Sequence, residues 1–223
     1  MKGGSSQPTA RSYVQDGLIA MWDGIENAGW GVHDPAAMTW KDLVGERDFS
    51  LYGVGVGDNN MVFGSNSYAT ASPVFQSSDM MTLEVIMEVK SATSSPCYMS
   101  FFNVGSYVGD MFWYLQGCIA WGVSKTSVRV ESDCAIQGRA TWSLSAHSFV
   151  RPNAPYVNGL PVGPNSIYTY YGSSRARGLV INPTTSWTFS GDIYSIRLYS
   201  RALTADEIAA NYAVDKARFN LPS

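Results

Sequence analysis

The sequence predicts an all-β fold, a two-sheet antiparallel sandwich closed by one short helix at its C-terminal end, and three observations carry that prediction. Short apolar or alternating runs recur from Leu18 to Leu198, each bounded by Gly, Asn, Asp, Ser or Pro, with no helical periodicity between them. In the run from Thr82 to Val89, Thr82, Glu84 and Glu88 share one parity while Leu83, Val85, Met87 and Val89 share the other. That period of two describes a strand with one apolar and one wet face. Finally, Thr204 with Glu207 three residues later forms a capping box, and Leu203 with Ile208 stands at the two hydrophobic-staple positions.

Taken in order, residues 1–11 read as a flexible Gly-Ser arm and residues 12–223 as one domain. No apolar stretch follows Lys2, so the start of the chain reads as neither signal peptide nor membrane anchor. Strands are expected at Gly17–Trp22, Met61–Ala69, Thr82–Val89, Tyr98–Val104, Met111–Leu115, Ser127–Glu131, Ala140–Ser145, Tyr156–Val157 and Ile193–Leu198. The helix is expected from about Ala205 to Ala217, with Ile208 and Tyr212 at i and i+4 forming an apolar stripe against the sandwich.

Composition narrows the function classes. Of 223 residues, 45% are hydrophobic and only 15% charged, which allows a sizeable core and excludes disorder. Lys plus Arg number 15 against 18 Asp plus Glu, a net charge of -3, so the basic excess of a nucleic-acid footprint is missing. The longest apolar-looking stretch, Met111–Trp121, is interrupted by Gln116 and Gly117 and is too short for membrane insertion. Three cysteines, Cys97, Cys118 and Cys134, match no zinc spacing; they read as buried thiols, with one disulfide among them left open.

The stretch Phe189–Ile208 contains Gly191-Asp192 at the start of a strand, then Arg197-Leu198-Tyr199-Ser200-Arg201-Ala202-Leu203 and the capped helix start. It resembles the closing segment of laminin-G-like domains of the concanavalin A-like superfamily. Two upstream segments are similar to others of that family: Asn158-Gly159 as a hairpin turn and Trp40-Lys41-Asp42-Leu43-Val44-Gly45 as an early turn. Met61–Tyr68 resembles the strand that follows, with Ser65-Asn66 in place of the usual Asp-Gly. The resemblance implies a jelly-roll sandwich and leaves function open, because the fold hosts lectins, glycosidases, adhesion domains and virion parts. The whole chain, Gly-Gly-Ser-Ser start included, also resembles small structural proteins encoded by prophages of gut bacteria.

Catalytic patterns are scarce. Retaining glycosidases need two carboxylates about 5 to 5.5 Å apart, whereas Glu84 and Glu88 are four residues apart on one strand, roughly 13 Å. They read as a solvated strand face. There is no Gly-x-Ser-x-Gly elbow and no HExxH, and His33 and His147 are the only histidines. Gly53–Gly57 lacks the Lys and following helix of a phosphate loop.

Two binding inventories remain. The loop from Asp23 to Pro35 offers Asp23, Glu26 and Asp34 as oxygen ligands for calcium, or as caps of its own turns. The same loop carries Trp30. Further rings come from Trp113, Tyr114, Trp121, Tyr168, Tyr170 and Tyr171, with Arg175 and Arg177 as forked donors, a set that fits glycan binding and equally a sandwich core. The expectation is a non-catalytic recognition or attachment module for a glycan or a cell-surface or virion partner, at a virion surface or outside the cell. The residue 1–11 arm is its expected means of assembly with a neighbouring chain or copy. The alternatives are a purely structural virion protein and a glycoside hydrolase or lyase with an unrecognised site.

Overall fold

The computed structural model describes residues 7–64, 66–76, 82–92, 97–100, 111–115, 118–123, 126–128, 139–148, 151–161, 176–181 and 189–221. The larger sheet has eight strands. At its centre β7 (Thr82–Ala92) pairs with β12 (Ala140–Ser148), which leads outward through β13 (Arg151–Val157) to β14 (Leu160–Pro161). On the other side of β7 lies β16 (Phe189–Tyr199), whose second half pairs with β1 (Leu18–Asp23) and whose first half pairs with β5 (Met61–Phe63) and, beyond it, β4 (Gly55–Val56). An irregularity between Ile193 and Ser195 marks the place where β16 changes partner.

The second layer consists of two four-stranded ladders. One runs β15 (Ala176–Ile181), β6 (Tyr68–Gln76), β3 (Phe49–Tyr52), β2 (Thr39–Trp40), and the other β11 (Thr126–Val128), β10 (Cys118–Val123), β9 (Met111–Leu115), β8 (Cys97–Ser100). β15 lies beside β8. All pairings among the described strands are antiparallel, so the sandwich expected from the sequence is the fold observed.

Alternation decides what fills the space between the layers. Phe49 and Leu51 of β3 point inward while Ser50 and Tyr52 point out, and Leu83, Val85 and Met87 of β7 join them from the opposite sheet. Trp22, Trp40, Phe63 and Ile196 complete this core, with the Trp22 and Phe49 ring centroids 4.7 Å apart. The indole nitrogens are satisfied: Trp40 donates to the Asp23 carbonyl and Trp22 to that of Arg47, each at 2.9 Å. The buried Asp42 accepts from the backbone N–H groups of Met21, Val44 and Arg47, which fixes the turn after β2.

Several expectations are refined. The strand expected over Met61–Ala69 divides at a turn where the Ser67 hydroxyl accepts from Gly64 N–H and donates to Gly64 C=O. The Asn158-Gly159 hairpin turn is present, with φ of 51° and 75°, the pair of positive values a type I′ turn requires. At the amino end, Ala10–Ser12 forms a 3-10 turn capped by Thr9, and Ala10 is fully buried. Residues 9–11 therefore belong to the packed structure instead of to an arm, while residues 1–6 lie outside the described residues.

Helix α1 (Ala205–Phe219) has the expected capping box, with Leu203 and Ile208 both buried, and ends at Asn220 in the left-handed region, φ 51°. Its inward side includes the expected Ile208 and, against Ile86, Tyr194 and Phe219, the expected Tyr212, but the most buried stripe is wider than that pair. Ile208, Asn211, Asp215 and Phe219 face the large sheet, and Tyr212 is only half-buried. Two of the four are polar because the sheet face beneath is polar too. No helix among the described residues is long and apolar enough to cross a membrane.

Candidate functional site

The outward face of the second layer is open and, over β3 and β6, neutral where side chains are described, with the Lys41–Asp48 ion pair at the β2–β3 margin. Register sets Thr39 beside Ser50, Ser50 beside Thr70 and Tyr52 beside Tyr68, so the three strands β2, β3 and β6 contribute to one row of hydroxyls and rings. Tyr52 is 46% exposed, and its ring stacks on that of Tyr68 with centroids 4.5 Å apart and planes 9° from parallel. Directly paired aromatic residues on adjacent strands hold each other's rotamers. The pair is thus a preformed patch of C–H surface edged by phenol and alcohol hydroxyls. Sequence reasoning passed over it because each tyrosine sits alone on its own strand. The available signal was the alternation Phe49-Ser50-Leu51-Tyr52, which already placed Tyr52 outside.

The opposite outer face, that of the large sheet, is covered by α1 and charged. Here the reading of Glu84 as solvated is corrected: it is 1% exposed, because the face of β7 that carries Thr82, Glu84 and Ile86 lies beneath the helix. Glu84 accepts from the Ser143 hydroxyl at 3.0 Å, Arg197 Nε at 3.0 Å and Asn211 Nδ2 at 2.7 Å. Arg197 donates from Nη1 and Nη2 to the two oxygens of Asp215 at 2.7 and 2.9 Å, and Thr141 also donates to Asp215. Tyr13 places its ring 4.0 Å from the same guanidinium.

Burial pushes the Glu84 carboxyl above the usual carboxylate range, against the opposing pull of Arg197, and burial likewise pushes the Tyr13 hydroxyl up. Both oxygens of Glu84 and of Asp215 already hold protein donors. The arrangement is a clasp between helix and sheet, with no free carboxylate oxygen turned toward a substrate. Glu88, on the same strand, is half-buried and accepts from the Tyr194 hydroxyl at 3.2 Å.

The Asp23–Pro35 loop is ordered by its own acids. Asp23 Oδ1 accepts from Ile25 and Glu26 N–H, and Arg218 reaches both Asp23, at 2.6 and 3.1 Å, and Glu26, at 3.0 Å. Burial raises the Asp23 carboxyl, and the Arg218 charge opposes that rise. Asp34 is exposed and caps Ala36, while its backbone pairs with the Asn27 amide. Of the three calcium candidates, then, Asp23 and Glu26 meet around a guanidinium and Asp34 stands outside that group. Among the described residues no set of three His, Cys, Asp or Glu is placed to hold a metal. Trp30 is half-buried, with the Arg11 guanidinium 4.2 Å from its ring centroid.

The remaining candidates are located by backbone register alone. Trp113 lies across from Tyr98 and Ala120, Tyr114 across from Cys97 and Ile119, and Arg177 across from Phe75. Tyr168, Tyr170, Tyr171, Arg175 and Cys134 lie outside the described residues.

No family model matches the chain, and no curated protein sequence does. Solved structures do. Trypanosoma rangeli sialidase in complex with 2,3-difluorosialic acid aligns with a TM-score of 0.65 at 14% identity over 98% of this chain and 35% of its own. Domain 4 of AbnA, a GH43 extracellular arabinanase from Geobacillus stearothermophilus, in complex with arabinotriose, aligns at 0.62 and 14% identity over 87% of this chain and 98% of that domain. The binding domain of Paraclostridial Mosquitocidal Protein 1 aligns at 0.63 and 12% identity over 88% of this chain and 52% of its own. The chain spans about a third of the sialidase chains. At these identities the likeness establishes the fold, a β-sandwich.

Proposed function

We propose that the chain is a non-catalytic recognition module that binds a glycan at the outward face of β3 and β6. The observation that carries this reading is the exposed, mutually stacked Tyr52–Tyr68 pair set in a row of Ser and Thr hydroxyls. A sugar presents an apolar C–H face beside polar edges, and a phenol ring with neighbouring alcohols matches both. The arabinanase domain of the same fold is described in complex with arabinotriose, and the mosquitocidal protein's domain as a binding domain; both support the reading. The non-catalytic part rests on Glu84 and Asp215 being bound on both oxygens by the protein's own donors.

The finer part of the proposal is a laminin-G-like attachment domain at a virion or extracellular surface. It rests on the sequence resemblance of Phe189–Ile208 and of the whole chain. A glycan array probed with the intact chain tests the core of the proposal. Retention on a defined family of oligosaccharides is the expected result, and no retention on any glycan overturns it.

A further inference from the structure

On the α1 side of the domain, away from Tyr52 and Tyr68, Trp30 packs against the cluster of Tyr13, Met21, Leu43 and Ile208 and carries Arg11 on its ring. Arg11 is exposed, and among the described residues its guanidinium makes no hydrogen bond and no ion pair. The other arginines whose side chains are described differ: Arg47, Arg139, Arg197, Arg201 and Arg218 each donate to a carbonyl or a carboxylate. A guanidinium held over an indole by its charge, with no hydrogen-bond partner among the described residues, keeps its N–H donors uncommitted.

The pair is also fixed from below. Glu26 Oε1 accepts from the N–H of Ala10, the residue before Arg11, at 3.0 Å. Its Oε2 accepts from the N–H of Gly31, the residue after Trp30, at 2.8 Å. One buried carboxylate, itself bound by Arg218 at 3.0 Å, therefore anchors both halves of the Arg11–Trp30 contact. The backbone beside the pair is exposed or half-buried: Gly31, Val32 and His33 are exposed, and apart from its immediate chain neighbours nothing lies within 4 Å of where a Cβ at Gly29 or Gly31 would stand. A preorganised, exposed cation with uncommitted forked donors suits a planar anion, because a carboxylate accepts two parallel N–H bonds from one guanidinium.

We propose that Arg11, positioned by Trp30 and Glu26, binds the carboxylate of an acidic saccharide, a second contact separate from the tyrosine face. The proposal rests on the glycan reading above and adds to it a charge requirement in the ligand. The test is calorimetric titration of the intact chain with a tetramer of galacturonic acid and with its carboxyl-reduced, neutral counterpart. The acid form is expected to bind about tenfold more tightly or better, as charged hydrogen bonds allow, and its advantage to shrink with added salt.

Arg11→Gln should erase that advantage without altering the thermal midpoint, and Arg11→Lys should recover only part of it because the fork is lost. Equal affinity for the two forms, or an advantage that survives Arg11→Gln, overturns the proposal and leaves the glycan reading standing. Binding of neither form overturns the proposal for Arg11 and leaves the glycan reading to the array. Arg11-dependent binding of an acidic peptide in place of the saccharide overturns the choice of ligand.

Discussion

The two outer faces of the sandwich use polar residues in opposite ways. Beneath α1 the chain buries Glu84, Arg197, Asp215 and Asn211, and at its margin Asp23, Glu26 and Arg218, every one of them partnered. On β3 and β6 the described outward side chains are Ser, Thr and Tyr, neutral and partly open to water. The low overall charge of the chain is thus unevenly placed between the two faces. Charged groups clasp α1 and the Asp23–Glu26 turn to the large sheet, whereas the described charge beside the other face is the Lys41–Asp48 pair at the margin of the neutral β3–β6 row. Buried ion pairs of this kind add little net stability over apolar packing, yet breaking one is costly.

That asymmetry predicts where substitutions hurt. Arg197→Met leaves Glu84 and Asp215 as uncompensated buried acids and should lower stability by about 3–5 kcal/mol in chemical denaturation. Replacing Glu84, Arg197 and Asp215 together by apolar residues of similar volume should restore most of the loss. A mild effect of Arg197→Met alone would mean that the region under the helix is wet and that the two faces differ less than described.

How much of this was legible in the sequence depends on the reach of each signal. Parity in Thr82–Val89 told correctly which residues share a face. It could not tell what covers that face, since the cover arrives more than a hundred residues later as α1, and so Glu84 read as solvated. Helix periodicity likewise favoured Ile208 with Tyr212, because Asn211 and Asp215 look like a wet stripe until Arg197 is placed opposite them. The capping box, the staple and the Asn158-Gly159 turn are legible because each is local, its partners at most five residues apart. Tyr52 and Tyr68 were missed for the converse reason, being joined only by strand register.

Smaller effects sharpen the contrast. The site where Gly159 stands has φ 75°, and a Cβ there would lie 3.0 Å from that of Tyr212 on α1. Gly159→Ala should therefore cost about 1–2 kcal/mol by the left-handed penalty alone, measured as a drop in thermal midpoint. At the helix start, the Arg201 guanidinium and the Thr204 N–H hold the Glu207 carboxyl down at about 2. Because the folded value lies below the unfolded one, Glu207 stabilises the fold above the ordinary glutamate range, and the gain is lost as pH falls toward that value. Glu207→Gln keeps the capping-box acceptor but loses the charge facing Arg201, and should cost about 0.5 kcal/mol at neutral pH, the size of a partly exposed ion pair, and less as pH falls toward 2. For the buried Glu84 and Asp23 the sign reverses. Their raised values mean that protonation favours the folded state, and their contribution falls as pH rises through the folded values.

The least destabilising change is the most informative about function. Tyr52→Ala removes one exposed ring and should shift stability by no more than about 0.5 kcal/mol. The decisive measurement is a calorimetric titration of wild type and Tyr52→Ala, side by side, with an oligosaccharide retained on the array. Loss of binding at an unchanged thermal midpoint is the predicted result, and undiminished affinity in the variant would contradict the assignment of the β3–β6 face as the recognition surface.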